Sequence, residues 1–259
     1  MTLYALILLV HSYLRWAIVV LLVLVAVRSR RGWSRDLGWS RGDERSQRAL
    51  LAAVDLQIVL GLLMYLWLSP IVRAFMSDPR HAMKEATLRF FAIEHILGMV
   101  VGVVVLHVGR VRSRRAATEK LRHRRVWVST LVAGLIMLGS IPWPPLKYAR
   151  PLLRDGSVLT AARATPPPRC PPSFRVRCIS CHGAGGRGDG PAGQSLHPRP
   201  RNFTDRRWQA TRTAAELAAI IRDGGAAHGL SVSMPSHREL SPTTIDTLVG
   251  CVRGFGAPF

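Results

Sequence analysis

The sequence has few acidic residues and very little lysine. Fifteen Asp and Glu stand against 36 basic residues, so the formal net charge is +21, and only three of the basic residues are lysine. Such an excess would suggest nucleic acid as a partner, but many arginines lie in short loops between apolar runs, where charge reports membrane orientation. The chain also has no motif for a nucleophile with its base, a phosphate loop or an open catalytic metal site. These absences argue against nucleic-acid binding and against bond-making catalysis.

Long apolar runs fill the first 150 residues. Four of them approach the roughly 20 helical residues that span a bilayer; they cover about 3–27, 50–69, 90–108 and 126–146. The first is too long for a signal-peptide core and lacks a basic start and a small-residue cleavage site, so we expect it to be retained. The third could instead be a buried soluble helix, but the regular spacing of the four favours a four-helix transmembrane bundle over 1–150.

The charges of the loops predict the orientation of this bundle. The stretch 28–48 carries seven Arg and 109–125 carries eight Arg or Lys, whereas 71–89 carries four and the N-terminus carries none. The positive-inside rule places the two basic loops in the cytoplasm. Both termini are then expected on the outer, periplasmic side of a bacterial inner membrane.

Ionisable side chains inside these runs are costly in lipid and are therefore candidates for function. His11 and His95 lie about 12 Å and 8 Å below the same outer surface, at 1.5 Å of helix rise per residue. Because facing helices of a bundle can hold a cofactor between their side chains, the pair predicts a non-covalent b-type haem. Plain hydrogen bonds between the helices are the alternative.

Two further pairs stand inside the runs. Gly98 and Gly102 form a small-xxx-small motif that lets either a porphyrin or a neighbouring helix approach closely. Asp55 and His107 lie toward the cytoplasmic side, where they form either a proton pathway or, as we favour, an ion pair.

Three segments carry a family resemblance: HSYLRW (11–16), RFFAIEHILGM (89–99) and SIPWP (140–144). Over about 5–154 the chain resembles small four-helix bacterial membrane proteins described as cytochrome b-like. The resemblance implies haem or quinone chemistry and makes His11 and His95 the matching histidines. Where the family would place a histidine early in the second helix, this chain has Asp55, which argues against a second membrane haem.

The last third begins with a proline-rich stretch, 151–173, which predicts an extended and fairly stiff linker. All four cysteines follow in this part of the chain, and CISCH supplies Cys178, Cys181 and His182. Two cysteines three positions apart can each form a thioether to one porphyrin edge, and the adjacent histidine can ligate the iron. A zinc site built from the cysteines is the alternative, but it would usually need a second close-spaced pair.

The context of CISCH favours one covalent haem c. The glycine-rich GAGGRGDGPAG can wrap tightly against a flat ring, and a carbonyl of Pro198 or Pro200 could orient the His182 ring. Met234 is the expected distal ligand, and a His/Met pair raises the reduction potential. A core role for Met234 is one alternative, and His228 or His237 as the distal ligand is another.

The run from CISCHGAGGRGDGPAG through LHPRPRNFTD and SMP to LSPTTIDTLVGCVRGFG resembles class I cytochrome c, the mono-haem His/Met type. The resemblance covers about 174–256 and implies a small α-helical domain, taken as 174–259. It assigns Cys178 and Cys181 to the thioethers and His182 and Met234 to the iron. The family's first helix is replaced here by PPPRCPPSFRVR and is expected to be short or absent. Cys170 and Cys251 then either form a disulfide that replaces lost packing or remain free thiols.

The sequence therefore predicts an all-α protein, a transmembrane bundle followed by a class I cytochrome c domain. We expect it to carry electrons from quinol or a respiratory complex to a periplasmic acceptor protein, as a quinol–cytochrome oxidoreductase component if it is enzymatic. Over 151–259 there are 14 Arg, no Lys and seven acidic residues, which favours an acidic partner surface. One alternative is a tethered cytochrome subunit of a larger respiratory complex, whose helices only anchor or dock. Another is a haem-based sensor, although the cytoplasmic loops house no output domain.

Overall fold

The structure is a computed structural model that describes residues 3–77, 79–144, 146, 152–153 and 170–256. Every regular element in these ranges is helical. The chain divides into two compact units. The bundle unit is Ile7–Met64 with Ile93–Ile141, and the C-terminal unit is Met1–Leu6, Tyr65–Ala92 and Pro142–Phe259. Most of the predicted linker, 151–173, lies outside the described residues.

Among the described residues, seven α-helices precede the cysteines, and two of them continue into π-helical turns. They are α1 (Leu3–Arg35), α2 (Arg41–Leu63, then a π turn Met64–Leu68), α3 (Pro70–Ser77), α4 (Pro79–Ala82), α5 (Ala86–Arg89, then a π turn Phe90–Glu94), α6 (His95–Arg114) and α7 (Glu119–Gly139). Side chains fix two of the helix starts. Ser40 and Asp43 form a capping box at α2, and Thr118 accepts a hydrogen bond from the Leu121 N–H at α7.

Among the described residues, three helices are long and apolar enough to cross a membrane: Leu3–Arg35, Arg41–Leu68 and Ala86–Arg114. The prediction of a fourth span over 126–146 is corrected. The helix α7 ends at Gly139, and its first seven residues, EKLRHRR, carry five charges. Its apolar part is therefore about 14 residues, or roughly 21 Å at 1.5 Å per residue. The hydropathy of 140–146 had extended the predicted run past the end of the helix.

Small residues bring α6 and α7 together as an antiparallel pair. A Cβ at Gly102 would lie 2.6 Å from Cγ of Met137, and one at Gly98 would collide with the Ser140 side chain. The motif at Gly98 and Gly102 therefore serves helix packing, the second of its two predicted uses. In the bundle core, Val126, Ala133 and Met137 of α7 pack with apolar residues of α1, α2 and α6.

Paired charges hold the basic end of the bundle unit. Glu44 accepts hydrogen bonds from Arg110 at 2.7 Å and from Arg122 at 3.1 Å, so one carboxylate joins α2, α6 and α7. Arg28 of α1 pairs with Asp43 at 3.0 Å. Part of the arginine excess is thus neutralised within the chain.

The described part of the C-terminal unit has four further α-helices. A π turn (Phe174–Cys178) leads into α8 (Ile179–His182), followed by α9 (Arg206–Ala210), α10 (Ala214–Asp223) and α11 (Pro242–Gly254). Thr213 and Glu216 form a capping box at α10, and Ser241 caps α11 with Pro242 in its first turn. The core joins Phe174 to Leu217, Leu248 and Val252.

A disulfide joins Cys170 to Cys251, with 4.6 Å between their Cα atoms. Of the two alternatives for these cysteines, the structure shows the bonded one. Within the described residues just before CISCH, from Cys170 onward, the π turn Phe174–Cys178 is nearly the only helical structure, and the bond fastens Cys170 to α11. The fully buried Cys251 belongs to the core of this unit.

Candidate haem-binding site

The CISCH motif opens into a cavity of about 550 Å³ in the C-terminal unit. The end of the π turn presents Cys178 to this cavity, the short helix α8 presents Cys181 and His182, and Met234 lines it as well. The structure thus brings together all four residues that the sequence assigns to one haem. Cavities that bury a small molecule or a cofactor are commonly a few hundred Å³ in volume and mostly apolar.

The His182 ring is held by one hydrogen bond and one stacking contact. Its Nδ1 lies 3.2 Å from the Arg201 carbonyl oxygen, and its ring stacks on Phe203 with 4.3 Å between the centroids. Because a carbonyl can only accept, Nδ1 carries the proton and Nε2 keeps its lone pair for a metal. The predicted carbonyl of Pro198 or Pro200 was wrong by one residue or more, although both prolines line the cavity. Burial lowers the pKa of His182 to about 4, so the imidazole is neutral at pH 7.

The glycine-rich loop folds back on α8. The Gly190 N–H donates to the Cys181 carbonyl at 3.1 Å, and the Ala192 N–H donates to the Ser180 carbonyl at 2.8 Å. A Cβ at Gly190 would lie 2.5 Å from the carbonyl oxygens of Ile179 and Ser180, so no larger residue fits without movement. The loop therefore stabilises the motif helix by covering its otherwise unpaired carbonyls.

Met234 is positioned by its own backbone. Its N–H donates to the Ser231 carbonyl at 3.2 Å, and its carbonyl accepts from the Gly225 N–H at 2.9 Å. Gly224 has a φ of +83°, and a Cβ there would lie 3.0 Å from the Met234 carbonyl oxygen. Two hydrogen bonds and the closely packed Gly224 thus fix the loop that carries the Met234 side chain.

The two alternative distal histidines have different surroundings. His237 lines the cavity and lies 3.5 Å from Glu239, whereas His228 lies 3.8 Å from Asp223 and is absent from the described lining. Burial lowers the pKa of His237 despite Glu239, which favours its neutral form. Of the two alternative distal histidines, His237 is therefore the one that could take the place of Met234 as the distal ligand.

The cysteines fit covalent attachment of a haem. Cys178 and Cys181 are not disulfide-bonded, whereas Cys170 and Cys251 form a disulfide and are no longer thiolates that could bind zinc. Burial raises the pKa of Cys178 to about 12, so its thiol is protonated at pH 7. No group of three or more metal-ligating side chains occurs among the described residues. Two thiols, a neutral imidazole and a thioether around one largely apolar cavity are the donor set that a c-type haem needs.

One residue of this cavity was missed by the sequence analysis. Pro70, at the start of α3, lines it together with the cytochrome residues. Ile71, Val72 and Ala74 of the same helix are buried. The segment Tyr65–Ala92 also closes on itself, because the Tyr65 hydroxyl donates to the Ala92 carbonyl at 2.9 Å. No local sequence signal marks Pro70, because it lies more than 100 residues before CISCH.

The two membrane histidines meet inside the bundle unit. The ring centroids of His11 and His95 are 6.4 Å apart with 67° between the ring planes. His95 Nδ1 lies 2.7 Å from the Ser140 carbonyl, so this nitrogen carries the proton and Nε2 is the one that could ligate a metal. On the other side, Gln57 donates to the His11 carbonyl at 3.0 Å and Gly61 faces the His11 ring. Three helices therefore position this pair.

Asp55 and His107, the other intramembrane pair, are in direct contact, in line with the pairing favoured from the sequence. His107 Nε2 lies 2.8 Å from Asp55 Oδ1, and each side chain is about half exposed, at 46% and 50%. Its place on the surface of the bundle unit was not expected from the sequence.

Comparison with known proteins gives one match. Residues 173–250 match the family model described as Cytochrome c. Searches of curated proteins and of solved structures gave no match. The match does not extend to the N-terminal helices, where the likeness to a cytochrome b-like family stays a prediction. Residues 173–250 are therefore a cytochrome c domain, which implies covalently bound haem c and a role in electron transfer.

Proposed function

We propose that this protein carries electrons from a membrane donor, a quinol or a respiratory complex, to an acceptor protein outside the cytoplasm. The observation that carries the proposal is the cavity into which Cys178, Cys181, His182 and Met234 converge. A cytochrome c domain on a chain with three apolar, membrane-length helices supports the same conclusion.

In the C-terminal unit each residue has a distinct role. Cys178 and Cys181 would hold the haem by thioether bonds, and His182 and Met234 would bind its iron. The haem would supply a one-electron couple, and ligation by the methionine sulfur would favour a high reduction potential. The Arg201 carbonyl fixes the His182 tautomer.

The bundle unit supports a second, non-covalent haem between His11 and His95. Two imidazoles on opposite sides of one metal have ligating nitrogens about 4 Å apart, twice a bond of about 2 Å. Their ring centroids are then about 6 Å apart, and the observed separation is 6.4 Å. The hydrogen bond from His95 to Ser140 is the outer-shell contact that a ligating histidine commonly makes. His11 and His95 would hold this group, and it would supply a one-electron couple within the apolar part of the chain.

We place both termini on the periplasmic side of a bacterial inner membrane. Three crossings alone would separate the N-terminus from the cytochrome domain. Although the apolar part of α7 is too short to count as a fourth membrane-length helix, α7 runs back along α6 from the Arg125–Arg112 contact to the His95–Ser140 contact, which supports a return of the chain to the level where α6 begins. Covalent haem attachment and the Cys170–Cys251 disulfide both suit an oxidising compartment. The two basic loops then face the cytoplasm.

A pyridine haemochrome assay with reduced-minus-oxidised spectra on the purified full chain tests the two haems. We expect one covalent haem c and one extractable haem b per chain. His11→Ala and His95→Ala should each remove the haem b and leave the haem c. Ser12→Ala and Leu97→Ala, beside the two histidines, are matched controls that should retain both. One covalent haem with no extractable haem would leave a tethered mono-haem cytochrome whose helices only anchor or dock.

The distal ligand is tested by substitution at its two candidate positions. Met234→Ala should change the axial coordination of the ferric c haem in its optical and paramagnetic resonance spectra, and Met234→His should lower its reduction potential. His237→Ala is the matched control and should preserve the His/Met spectrum. Unchanged coordination in Met234→Ala would refute Met234 as the ligand.

A further inference from the structure

The ion pair of His107 and Asp55 lies on the outside of the helices that carry it. His107 belongs to α6 and Asp55 to α2, and both helices lie within apolar, membrane-length segments. The His107 Nε2 to Asp55 Oδ1 distance is 2.8 Å, and about half of each side chain remains exposed. Ionisable groups within membrane helices almost always face a bundle interior or an aqueous cavity. This pair instead faces outward.

The surface around the pair is apolar. Val59 stands one helical turn after Asp55 on the same face of α2, and Val104 and Val111 stand one turn before and after His107 on α6. Each of these three valines is about half exposed. The groove between α2 and α6 is therefore an apolar surface that carries a single acid–base pair.

The depth of the pair is fixed by a neighbouring interaction. Arg110, three residues after His107, donates to Glu44 and Gln47 at the basic end of the bundle unit. At 1.5 Å per residue, His107 lies about 4.5 Å farther into the apolar segment than Arg110. The pair thus lies one helical turn inside the charged layer, where a polar head attached to an apolar tail would lie.

The pair also has unused hydrogen-bonding capacity. Within the described part of the chain, only Nε2 of His107 and Oδ1 of Asp55 are engaged. Nδ1 and Oδ2 therefore remain for a ligand, as an N–H or lone pair on the imidazole and an acceptor on the carboxylate. Leaving such groups against hydrocarbon is unfavourable.

We propose that the groove at Asp55 and His107 binds the head of a lipid-soluble quinol or quinone. A quinol hydroxyl can donate to Oδ2 of the Asp55 carboxylate or to the Nδ1 lone pair of His107, and a protonated His107 can donate its Nδ1–H to a quinone oxygen. The isoprenoid tail then lies along the exposed valines. The inference rests on the proposed function, in which a quinol is one candidate donor, and it assigns that donor a site.

Photolabelling of the full chain in phosphatidylcholine nanodiscs tests this site. The probe is a short-tailed azidoquinone, and unlabelled decylubiquinone is the competitor. We expect competed label on peptides that contain 55–59 and 104–111. Asp55→Asn and His107→Gln should each reduce the labelling at least tenfold. Leu56→Ala alters an exposed apolar neighbour on α2 and is the matched control, in which labelling should not change.

Three results would overturn the proposal. They are label on other helices, label that decylubiquinone does not displace, and equal labelling in wild type and both variants. A smaller particle in either variant would also overturn it, because the pair would then join two copies of the chain. The content of covalent haem c verifies that each sample is folded. The mapping of labelled peptides in the wild-type protein tests the site without relying on any variant. Haem b content is measured in parallel. If haem b is missing but the labelling is retained, the proposed electron route is refuted, whereas the quinone site at Asp55 and His107 is not.

Discussion

Removing the Cys170–Cys251 disulfide should destabilise the cytochrome domain without touching the haem ligands. The perturbation is Cys170→Ser with Cys251→Ala, because Cys251 is fully buried and a hydroxyl there would add a desolvation cost. The bond closes a loop with a sequence separation of 81 residues. Cys178, the haem attachment residue nearest in sequence, is not part of this bond and is unchanged in the variant.

The size of the effect follows from the loop. Chain-entropy closure for a separation of 81 corresponds to about 4.5 kcal/mol at 25 °C, and measured losses of native disulfides are typically about 2–5 kcal/mol. With a guanidinium slope of roughly 2 kcal/mol per molar, the full effect lowers the unfolding midpoint by about 2 M. Because this domain is small, such a loss is a large part of its stability.

The assay is guanidinium unfolding of the full chain in detergent, followed by the absorbance of the c haem. The single variant Cys170→Ser should lose as much stability as the double variant, since either one abolishes the bond. Wild-type protein whose disulfide has been reduced should unfold at the same guanidinium midpoint as the two variants. A midpoint shift below about 0.3 M in the double variant, equivalent to well under 1 kcal/mol, would refute the role assigned to the bond.

Three other outcomes are expected. Gly190→Ala should destabilise the domain by about 1–3 kcal/mol, because the new methyl group would overpack against the Ile179 and Ser180 carbonyls. Gly250→Ala is the control: this glycine lies in α11 with open space around it, so the change should stabilise the domain by about 0.5–1 kcal/mol. Equal effects of the two changes in chemical denaturation would contradict the packing argument. In haem-free protein, burial raises the pKa of Cys178 to about 12, so alkylation of Cys178 at pH 8 should be slow and should quicken about tenfold per pH unit up to that pKa, because only the thiolate reacts; mass spectrometry that finds the rate of an unfolded thiol would refute it. Glu216 has its pKa lowered by hydrogen bonds to Thr213 in the α10 capping box, so the stability it contributes is present above its unfolded pKa, near 4.5, and is lost as the pH falls through the lower folded pKa; Glu216→Gln should reduce that acid-dependent loss in denaturation measured from pH 6 to 3.

The haem c site was predictable because its signal is local. Five consecutive residues contain both thiols and the imidazole, and Met234 stands beside a proline in a loop rather than in a helix face. The carbonyl that orients His182 was not predictable to the residue, because the loop conformation selects Arg201 among neighbouring candidates. Pro70 was missed for the same physical reason: contacts across the chain leave no mark on either segment.

The membrane half shows where composition misleads. The run 126–146 is apolar in total, but Gly139 ends the helix, and the charges at its start shorten the apolar part. At Gly98 a glycine motif allowed two partners, and only the position of Ser140 decided between them. The meeting of His11 and His95 was predicted from depth alone, since both lie a few turns below the same end of the bundle.

Pro70 has a consequence for how this chain can be divided. Pro70, between the second and third apolar spans, lines the haem cavity, so this cavity is not lined by residues of 173–250 alone. A fragment that begins at Cys170 would lack this contact, and solvent exposure is one of the factors that set a reduction potential. We therefore expect the potential of this haem to depend also on a residue outside the cytochrome c domain.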